Sequence, residues 1–229
     1  MDLHVIRQSN ASPHIVRSLG YILTSQDLYI CMELMTSCLE RILKLVGQGL
    51  PEAIIGKITV SVLNGLNYLI ESIMHRDVKP SNMLMDLQGN IKLCDFGIAG
   101  QLLEHLPPSV TLGCISYLAP ERIERKPYDI RADVWSLGIS LIYLAKFQFP
   151  YEQDTQFGMM LRILNNPAPT INPQDSKFSL EFCKFVERCL QKDMEKRATY
   201  SVLFTLPFYV KSDEEKVDVA EWCHKYINK

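Results

Sequence analysis

The spacing of hydrophobic residues separates a strand-containing first part of the chain from a helical remainder. After Pro51, apolar residues recur every three or four positions, which predicts a long amphipathic helix with Pro51 in its first turn. Residues 130–145 are apolar nearly all round, which predicts a buried central helix with Asp129 as its cap. Further helices are expected at residues 157–164, 180–190 and 199–204.

Short apolar runs predict two pairs of strands. The first pair covers residues 15–23 and 28–32, after a helical tail at residues 3–6. The second pair covers residues 83–85 and 91–93, which flank a turn of polar residues and glycine. The pattern therefore predicts a mainly helical body with small strand pairs at one end.

Composition excludes several classes of protein. The 229 residues are 47% hydrophobic with a net charge of −2, so the chain is neither disordered nor a carrier of an overall basic field for nucleic acid. No apolar run approaches the roughly 18 residues of a membrane helix, and the start lacks the features of a signal peptide. Seven scattered cysteines argue against a disulfide framework or a zinc site. We expect a globular protein of the cytoplasm, with the nucleus as a second compartment.

Three short motifs in a fixed order carry the chemistry. They are His-Arg-Asp-Val-Lys-Pro-Ser-Asn at 75–82, Asp-Phe-Gly at 95–97 and Ala-Pro-Glu at 119–121. A lone Asp or Asn in such places is more typical of a turn or a helix cap. The combination resembles the protein kinase family, which implies an α+β, kinase-like fold with a mainly helical large lobe.

The resemblance implies a role for each polar residue in phosphoryl transfer, where a protein mainly positions groups and neutralises charge. Asp77 would accept the proton of the attacking hydroxyl, and Lys79 would place a cation near the transferred group. Asn82 and Asp95 would hold the Mg²⁺ ions that bridge the phosphates of ATP, because both supply hard oxygen ligands. Arg76 would bind a phosphate added to the activation segment.

Longer stretches are similar to MAP kinase kinases, in particular to the branch that feeds stress-activated MAP kinases of the c-Jun N-terminal and p38 types. These stretches are residues 32–35, 56–57, 91–98 and 128–138. The resemblance implies a dual-specificity enzyme that phosphorylates Thr and Tyr of a MAP kinase. It also implies a nucleotide pocket with Met32 as gatekeeper, Glu33 to Met35 as hinge and Leu84 beneath the adenine, although Met32 and Leu84 could also be ordinary core residues.

The same resemblance assigns structural roles outside the pocket. Asp133 and Trp135 would anchor the catalytic loop from the central helix, and Glu121 would pair with Arg197. Cys94, which precedes Asp95, could be reached by thiol reagents, but a buried and inert thiol is the commoner case.

The resemblance divides the chain into a small-lobe remnant at 1–35, a large lobe at 36–210 and a docking helix at 211–229. Residues 216–229 are similar to the segment by which such kinases bind upstream MAP kinase kinase kinases. Asp218 and Glu221 suit a capping box. One helical face carries an apolar stripe of Val219, Trp222, Cys223, Tyr226 and Ile227. This stripe could bind a partner or pack the helix onto its own domain, and the sequence leaves both open.

The sequence departs from the family pattern before the hinge. None of the eleven glycines forms Gly-x-Gly-x-x-Gly, and the only lysines before His75 are Lys44 and Lys57, both in helices predicted after the hinge. Asp2 falls where the family places the acidic partner of a strand lysine. Either the chain is an incomplete version of a longer kinase or its small lobe is lost, and in both cases we expect a truncated small lobe, reduced to a two-stranded remnant with an exposed edge.

The activation segment also departs from the pattern. His105 occupies the place of the first phosphoacceptor, whereas Ser109 occupies the second and Thr111 offers a nearby hydroxyl. We expect control by phosphorylation at Ser109 or Thr111.

Two functions stay open. Intact Asp77, Lys79, Asn82 and Asp95 favour an active kinase that uses ATP and Mg²⁺. The missing glycine-rich loop and lysine favour a pseudokinase that occupies cascade partners without catalysis. A hydrolase built on His75 and Asp77 is a remote third option, because no recognisable motif supplies its nucleophile.

Overall fold

The strands form two small antiparallel sheets. The computed structural model describes residues 11–69, 74–95, 115–152, 154–174 and 177–227. Strands β1 (Ser18–Leu23) and β2 (Leu28–Met32) pair as a hairpin, in which Tyr21 lies opposite Ile30. The second sheet has the order β3-β4-β5 and consists of β3 (Ser37–Cys38), β4 (Met83–Met85) and β5 (Ile91–Leu93). Both predicted strand pairs are thus confirmed.

Backbone hydrogen bonds connect the two sheets around the predicted hinge. Before β1, the Val16 N–H donates to the Leu93 carbonyl at 2.8 Å, and the Leu93 N–H donates to the His14 carbonyl at 2.9 Å. After β2, the Thr36 N–H donates to the Met85 carbonyl at 3.1 Å. The chain is therefore attached to the second sheet on both sides of the hairpin.

The helices predicted from residue 51 onward are present, but the expected docking helix at 211–229 is divided, because one helix ends at Glu214 and the next begins at Val219. The helices of the described ranges are α1 (Leu39–Val46), α2 (Glu52–Leu69), α3 (Pro120–Ile123), α4 (Arg131–Lys146), α5 (Gln156–Asn165), α6 (Leu180–Cys189), α7 (Tyr200–Phe204), α8 (Pro207–Glu214) and α9 (Val219–Ile227). Pro51 directly precedes α2, and the Asp129 carboxylate accepts the Arg131 N–H at 2.8 Å at the start of α4. Short 3₁₀ turns occupy Pro80–Asn82 and Met194–Lys196.

Helices α2 and α4 form the centre of the core. Every residue of α4 from Ala132 to Ala145 is buried, which confirms the buried central helix. Helix α8 packs on α2, where Gly56 allows the close approach because an added Cβ would collide with the Ser212 side chain. The close-packed centre provides a rigid support for the loops on which the polar motifs lie.

Helix α9 packs onto its own domain. Val219, Trp222 and Cys223 are buried against the rest of the chain, and α9 contacts α1. Gly89, in the β4–β5 turn, has φ of +81°, and a Cβ there would lie 2.7 Å from the Ala220 nitrogen. The apolar stripe of the tail therefore serves intramolecular packing. The structure shows one of the two hydrogen bonds of the expected capping box, in which the Asp218 Oδ1 atom accepts the Glu221 N–H at 2.7 Å.

The β1–β2 hairpin exposes large apolar side chains. Leu19, Ile22, Leu23 and Tyr29 are between 55% and 73% exposed. Among the described residues, no helix is long and apolar enough to cross a membrane.

Several predicted features lie outside the described residues. These are the helical tail at 3–6, Asp2, and the activation-segment residues His105, Ser109 and Thr111. The six cysteines within the described ranges are all free thiols.

Candidate active site

A buried carboxylate on α4 fixes the backbone at the start of the His-Arg-Asp motif. Asp133 Oδ2 accepts the His75 N–H at 2.9 Å, and Asp133 Oδ1 accepts the Arg76 N–H at 2.8 Å. Arg76 has φ of +67°, a left-handed conformation that costs a non-glycine residue roughly 1–3 kcal/mol and persists only when its surroundings enforce it. Arg122 Nη1 donates to the Arg76 carbonyl at 2.6 Å and holds the other side of the same residue.

The His75 ring connects this loop to the segment that carries Asp95. The ring is fully buried, its Nε2 atom lies 3.0 Å from the Cys94 carbonyl, and its Nδ1 atom accepts the Asp77 N–H at 3.3 Å. The proton therefore resides on Nε2, which donates to Cys94. Burial lowers the pKa of His75 below its ordinary value, so the ring is neutral, and both of its nitrogens are engaged in the hydrogen bonds that connect the two segments.

Three polar residues of the motif meet side by side. Lys79 Nζ lies 2.6 Å from Asp77 Oδ2, and both side chains are largely buried, at 18% and 24% exposure. Asn82 Nδ2 donates to the Asp77 carbonyl and to Asp77 Oδ2, each at 2.9 Å. Asp77 is therefore oriented by a cation and an amide at once.

Asn82 and Asp95 supply oxygen donors of the kind that suits a hard metal ion. Both amide protons of Asn82 bond to Asp77, so its Oδ1 atom is the ligand atom that remains. The Cys94 N–H donates to the Asn82 carbonyl at 3.0 Å, which places Asp95, an exposed carboxylate, next along the chain. Asp95 also has a left-handed φ of +59°. These oxygen donors fit Mg²⁺. No group of three or more His, Cys, Asp or Glu side chains in the described ranges could hold a metal ion.

The predicted nucleotide-pocket residues lie along the hinge and β4. Met32 ends β2 and is 43% exposed, so the alternative that it belongs to the core is wrong. Met35 and Leu84 are half-buried, and Leu84 lies opposite Cys38 across the β3–β4 pair. Burial raises the pKa of the Cys94 thiol to about 12, so Cys94 is the inert thiol rather than a reactive one.

The Ala-Pro-Glu motif anchors a second buried network. Arg197 Nη1 and Nη2 donate to the Glu121 carboxylate at 2.6 and 3.0 Å, which confirms the predicted pair. The same guanidinium donates to the carbonyls of Arg131 and Gln191 and lies 5.2 Å from the Trp135 ring centroid. Of the two residues predicted to anchor the catalytic loop, Asp133 bonds to its backbone, whereas Trp135 packs against this ion pair.

Two interactions were not predicted from the sequence. The hydroxyl of Tyr200, on α7, hydrogen-bonds to the Asp133 side chain, and its pKa is raised by burial and by that carboxylate. Glu33, in the hinge, binds Lys92 of β5 at 2.6 Å. The one signal in the sequence is the alternation at Ile91-Lys92-Leu93. It places the Lys92 side chain on the face of the strand opposite to its two buried neighbours.

This catalytic loop, its supporting aspartate and the Asn82–Asp95 oxygen donors define a protein kinase site. Residues 1–209 match the family model described as "Protein kinase domain", and the chain belongs to that family.

Similar proteins indicate which class of protein kinase the chain resembles. The chain is 49% identical over 227 residues to the dual specificity mitogen-activated protein kinase kinase mek-1 of Caenorhabditis elegans, an alignment that covers 97% of this chain and 65% of the relative. It is 46% identical over 230 residues to the human dual specificity mitogen-activated protein kinase kinase 7, covering 97% and 55%. The resemblance to MAP kinase kinases is confirmed, and the chain spans less than two thirds of these relatives' length.

Proposed function

We propose that this chain provides the catalytic lobe of a dual-specificity MAP kinase kinase, which transfers the γ-phosphoryl group of ATP to Thr and Tyr of a stress-activated MAP kinase. The observation that carries the proposal is the cluster of Asp77, Lys79 and Asn82 on a loop locked by Asp133, with Asp95 beside it. The relatives at 45–49% identity bear the name of this enzyme class.

Each polar side chain of the site has a separate role in the proposed phosphoryl transfer. Asp77 accepts the proton of the substrate hydroxyl and aligns that hydroxyl for attack. Lys79, held at 2.6 Å from Asp77, places a positive charge beside the transferred group. Asn82 Oδ1 and the Asp95 carboxylate would hold Mg²⁺, which when bound neutralises phosphate charge.

The hinge is the proposed holder of the adenine. Backbone groups between Glu33 and Met35 would hydrogen-bond the base, while Met32 and Leu84 supply apolar surface around it. Met32 fits this role because it is partly exposed at the end of β2.

Regulation is proposed to act through Arg76. Within the described ranges its Nε atom is buried and has no hydrogen-bond partner. A phosphate on Ser109 or Thr111 would supply an oxygen acceptor for this Nε atom.

An upstream MAP kinase kinase kinase is the proposed partner of residues 216–229. Because Val219, Trp222 and Cys223 are buried, the contact would use the outer side of α9, where Glu221 and His224 are exposed. Such signalling fits the expected location in the cytoplasm and nucleus.

The test is nucleotide binding followed by transfer. The melting temperature of the 229-residue chain should rise on adding ATP with Mg²⁺, because a ligand that binds only the folded state stabilises it. Asp95→Asn should abolish the Mg²⁺-dependent part of the rise. Asp27→Asn, an exposed aspartate in the β1–β2 turn, is the matched control and should leave it unchanged.

Transfer is then measured on a catalytically inactive stress-activated MAP kinase, with mass spectrometry to assign phosphorylated Thr and Tyr. A folded chain that shows no Mg²⁺-dependent shift would contradict the proposal and favour the non-catalytic binding protein.

A further inference from the structure

A half-buried ion pair joins the hinge to the strand that leads to Asp95. Glu33 Oε1 lies 2.6 Å from Lys92 Nζ, and the side chains are only 20% and 17% exposed. The same oxygen accepts the Arg17 N–H at 2.8 Å, while the Glu33 N–H donates to the Arg17 carbonyl at 2.9 Å. Although desolvation opposes it, the hydrogen bonds from Lys92 and Arg17 hold the pKa of Glu33 below its ordinary value. Glu33 is therefore a charged residue fixed on two sides.

The pair connects the two parts of the chain that the nucleotide must span. Glu33 begins the hinge, whose other end is tied to the second sheet by the Thr36 N–H at 3.1 Å from the Met85 carbonyl. Lys92 lies opposite Leu84 in the β4–β5 pair, and Asp95 follows Lys92 by three positions. One side chain thus belongs to the adenine-binding segment and the other to the strand before the metal-binding carboxylate.

We propose that the Glu33–Lys92 pair positions the hinge backbone relative to Asp95 and so sets the affinity for a nucleoside phosphate–Mg²⁺ complex. This inference rests on the proposed function, because it assumes that the base binds the hinge and the metal binds Asp95. A nucleotide has a fixed length between base and phosphates, so a site that already holds these two groups at the correct separation loses less free energy on binding.

The alternative is that the pair is one more surface salt bridge. Exposed pairs contribute little, because solvent screens them and two long side chains must be ordered. The chain offers such a pair for comparison: Lys225 and Glu221 lie 3.1 Å apart, at 60% and 68% exposure, within α9 alone. The Glu33–Lys92 pair differs in being largely desolvated and in joining segments 59 positions apart.

The experiment measures the dissociation constant of ADP with Mg²⁺ by calorimetry on the full chain. Lys92→Met keeps the aliphatic stem and removes the charge, and we expect the dissociation constant of ADP–Mg²⁺ to become about tenfold larger. Glu33→Gln, which still accepts the Arg17 N–H, should give a similar loss. Lys92→Arg keeps the positive charge and should leave the dissociation constant within about threefold of that of the unmodified chain. Lys225→Met should leave the dissociation constant unchanged.

Melting temperatures without nucleotide separate positioning from general stability. A Lys92→Met chain that melts lower but binds ADP–Mg²⁺ as tightly as the unmodified chain would overturn the proposal. Loss of affinity that Lys92→Arg recovers would support it.

A failure of the proposed function itself has a different signature. If the unmodified chain does not bind ADP–Mg²⁺, the proposed nucleotide site is wrong. Hydrogen exchange at the Glu33 and Thr36 amides then tests whether the Glu33–Lys92 pair positions the hinge. Faster exchange of both amides in Lys92→Met, but not in Lys225→Met, would support positioning of the hinge. Unchanged exchange would overturn it.

Discussion

The buried pair of Glu121 and Arg197 allows a quantitative prediction. Arg197 is fully buried as a side chain and Glu121 is 8% exposed, and the guanidinium donates to both carboxylate oxygens and to two carbonyls. Arg197→Met preserves much of the volume but leaves a buried carboxylate without its cation. Removing one partner of such a pair costs about 3–5 kcal/mol, because the remaining charge stays desolvated and uncompensated.

That cost is a large part of the free energy of unfolding. Domains are stable by about 5–15 kcal/mol, so the variant should lose roughly a fifth of its stability or more. At about 2–4 °C per kcal/mol for a chain of this size, the melting temperature should fall by roughly 6–20 °C. Urea unfolding followed by circular dichroism measures the change from the midpoint and the slope.

A second Arg–carboxylate pair is the control. Arg131 donates to both oxygens of Glu195 at 2.9 Å, but Glu195 is 74% exposed. Glu195→Gln should therefore cost less than about 1 kcal/mol. The double variant Glu121→Leu with Arg197→Met should be more stable than Arg197→Met alone, because it removes the orphaned charge. Equal losses in Arg197→Met and Glu195→Gln would refute the reasoning from burial.

Four further predictions concern the site and the tail. Asp77→Asn should lower phosphoryl transfer by about 10²-fold or more while leaving the ADP–Mg²⁺ dissociation constant nearly unchanged, as seen by calorimetry beside a transfer assay; a large change in the dissociation constant would contradict the assigned role. Iodoacetamide at pH 7.5 should modify the exposed Cys31 and spare Cys94, whose pKa of about 12 leaves almost no thiolate; mass spectrometry would expose early labelling of Cys94 as the opposite result. The pKa of His75 is lowered in the folded state, so the unfolded chain binds more protons than the folded chain near the ordinary histidine pKa of 6.5, and the free energy of unfolding should fall between pH 7 and pH 5.5. The urea midpoint should fall less in His75→Gln than in the unmodified chain over this range. An equal fall in both would exclude His75 as the source. Trp222→Ala should destabilise the chain by about 3 kcal/mol if α9 is part of the core, and a change near zero in the urea midpoint would show that the helix is held only loosely.

The sequence predicted those parts of the molecule that depend on local pattern. The period of the apolar residues placed α2, α4 and both strand pairs, and the motif at 75–82 identified the cluster of Asp77, Lys79 and Asn82. These features are determined by residues within a few positions of one another, or by motifs whose order is itself informative.

The rest depended on how distant segments pack. Glu33 and Lys92 are 59 positions apart, and nothing near either residue indicates the other. The stripe on α9 has the same period whether it faces a partner or its own domain, and the structure alone shows it packed beside Gly89. The hydrogen bond between the Tyr200 hydroxyl and Asp133 joins α7 to α4, and no motif in the sequence connects the two residues.

The double restraint on Arg76 has a consequence for how such a kinase could be switched. Asp133 holds the amide side of the residue and Arg122 holds its carbonyl, so the loop that carries Asp77 has its conformational entropy removed during folding, before any substrate arrives. A backbone that is held on both sides leaves an effector few alternative conformations to select. On and off states would then differ in the segments around the loop, and inhibitors that distinguish those states should gain their selectivity from contacts outside residues 75–82.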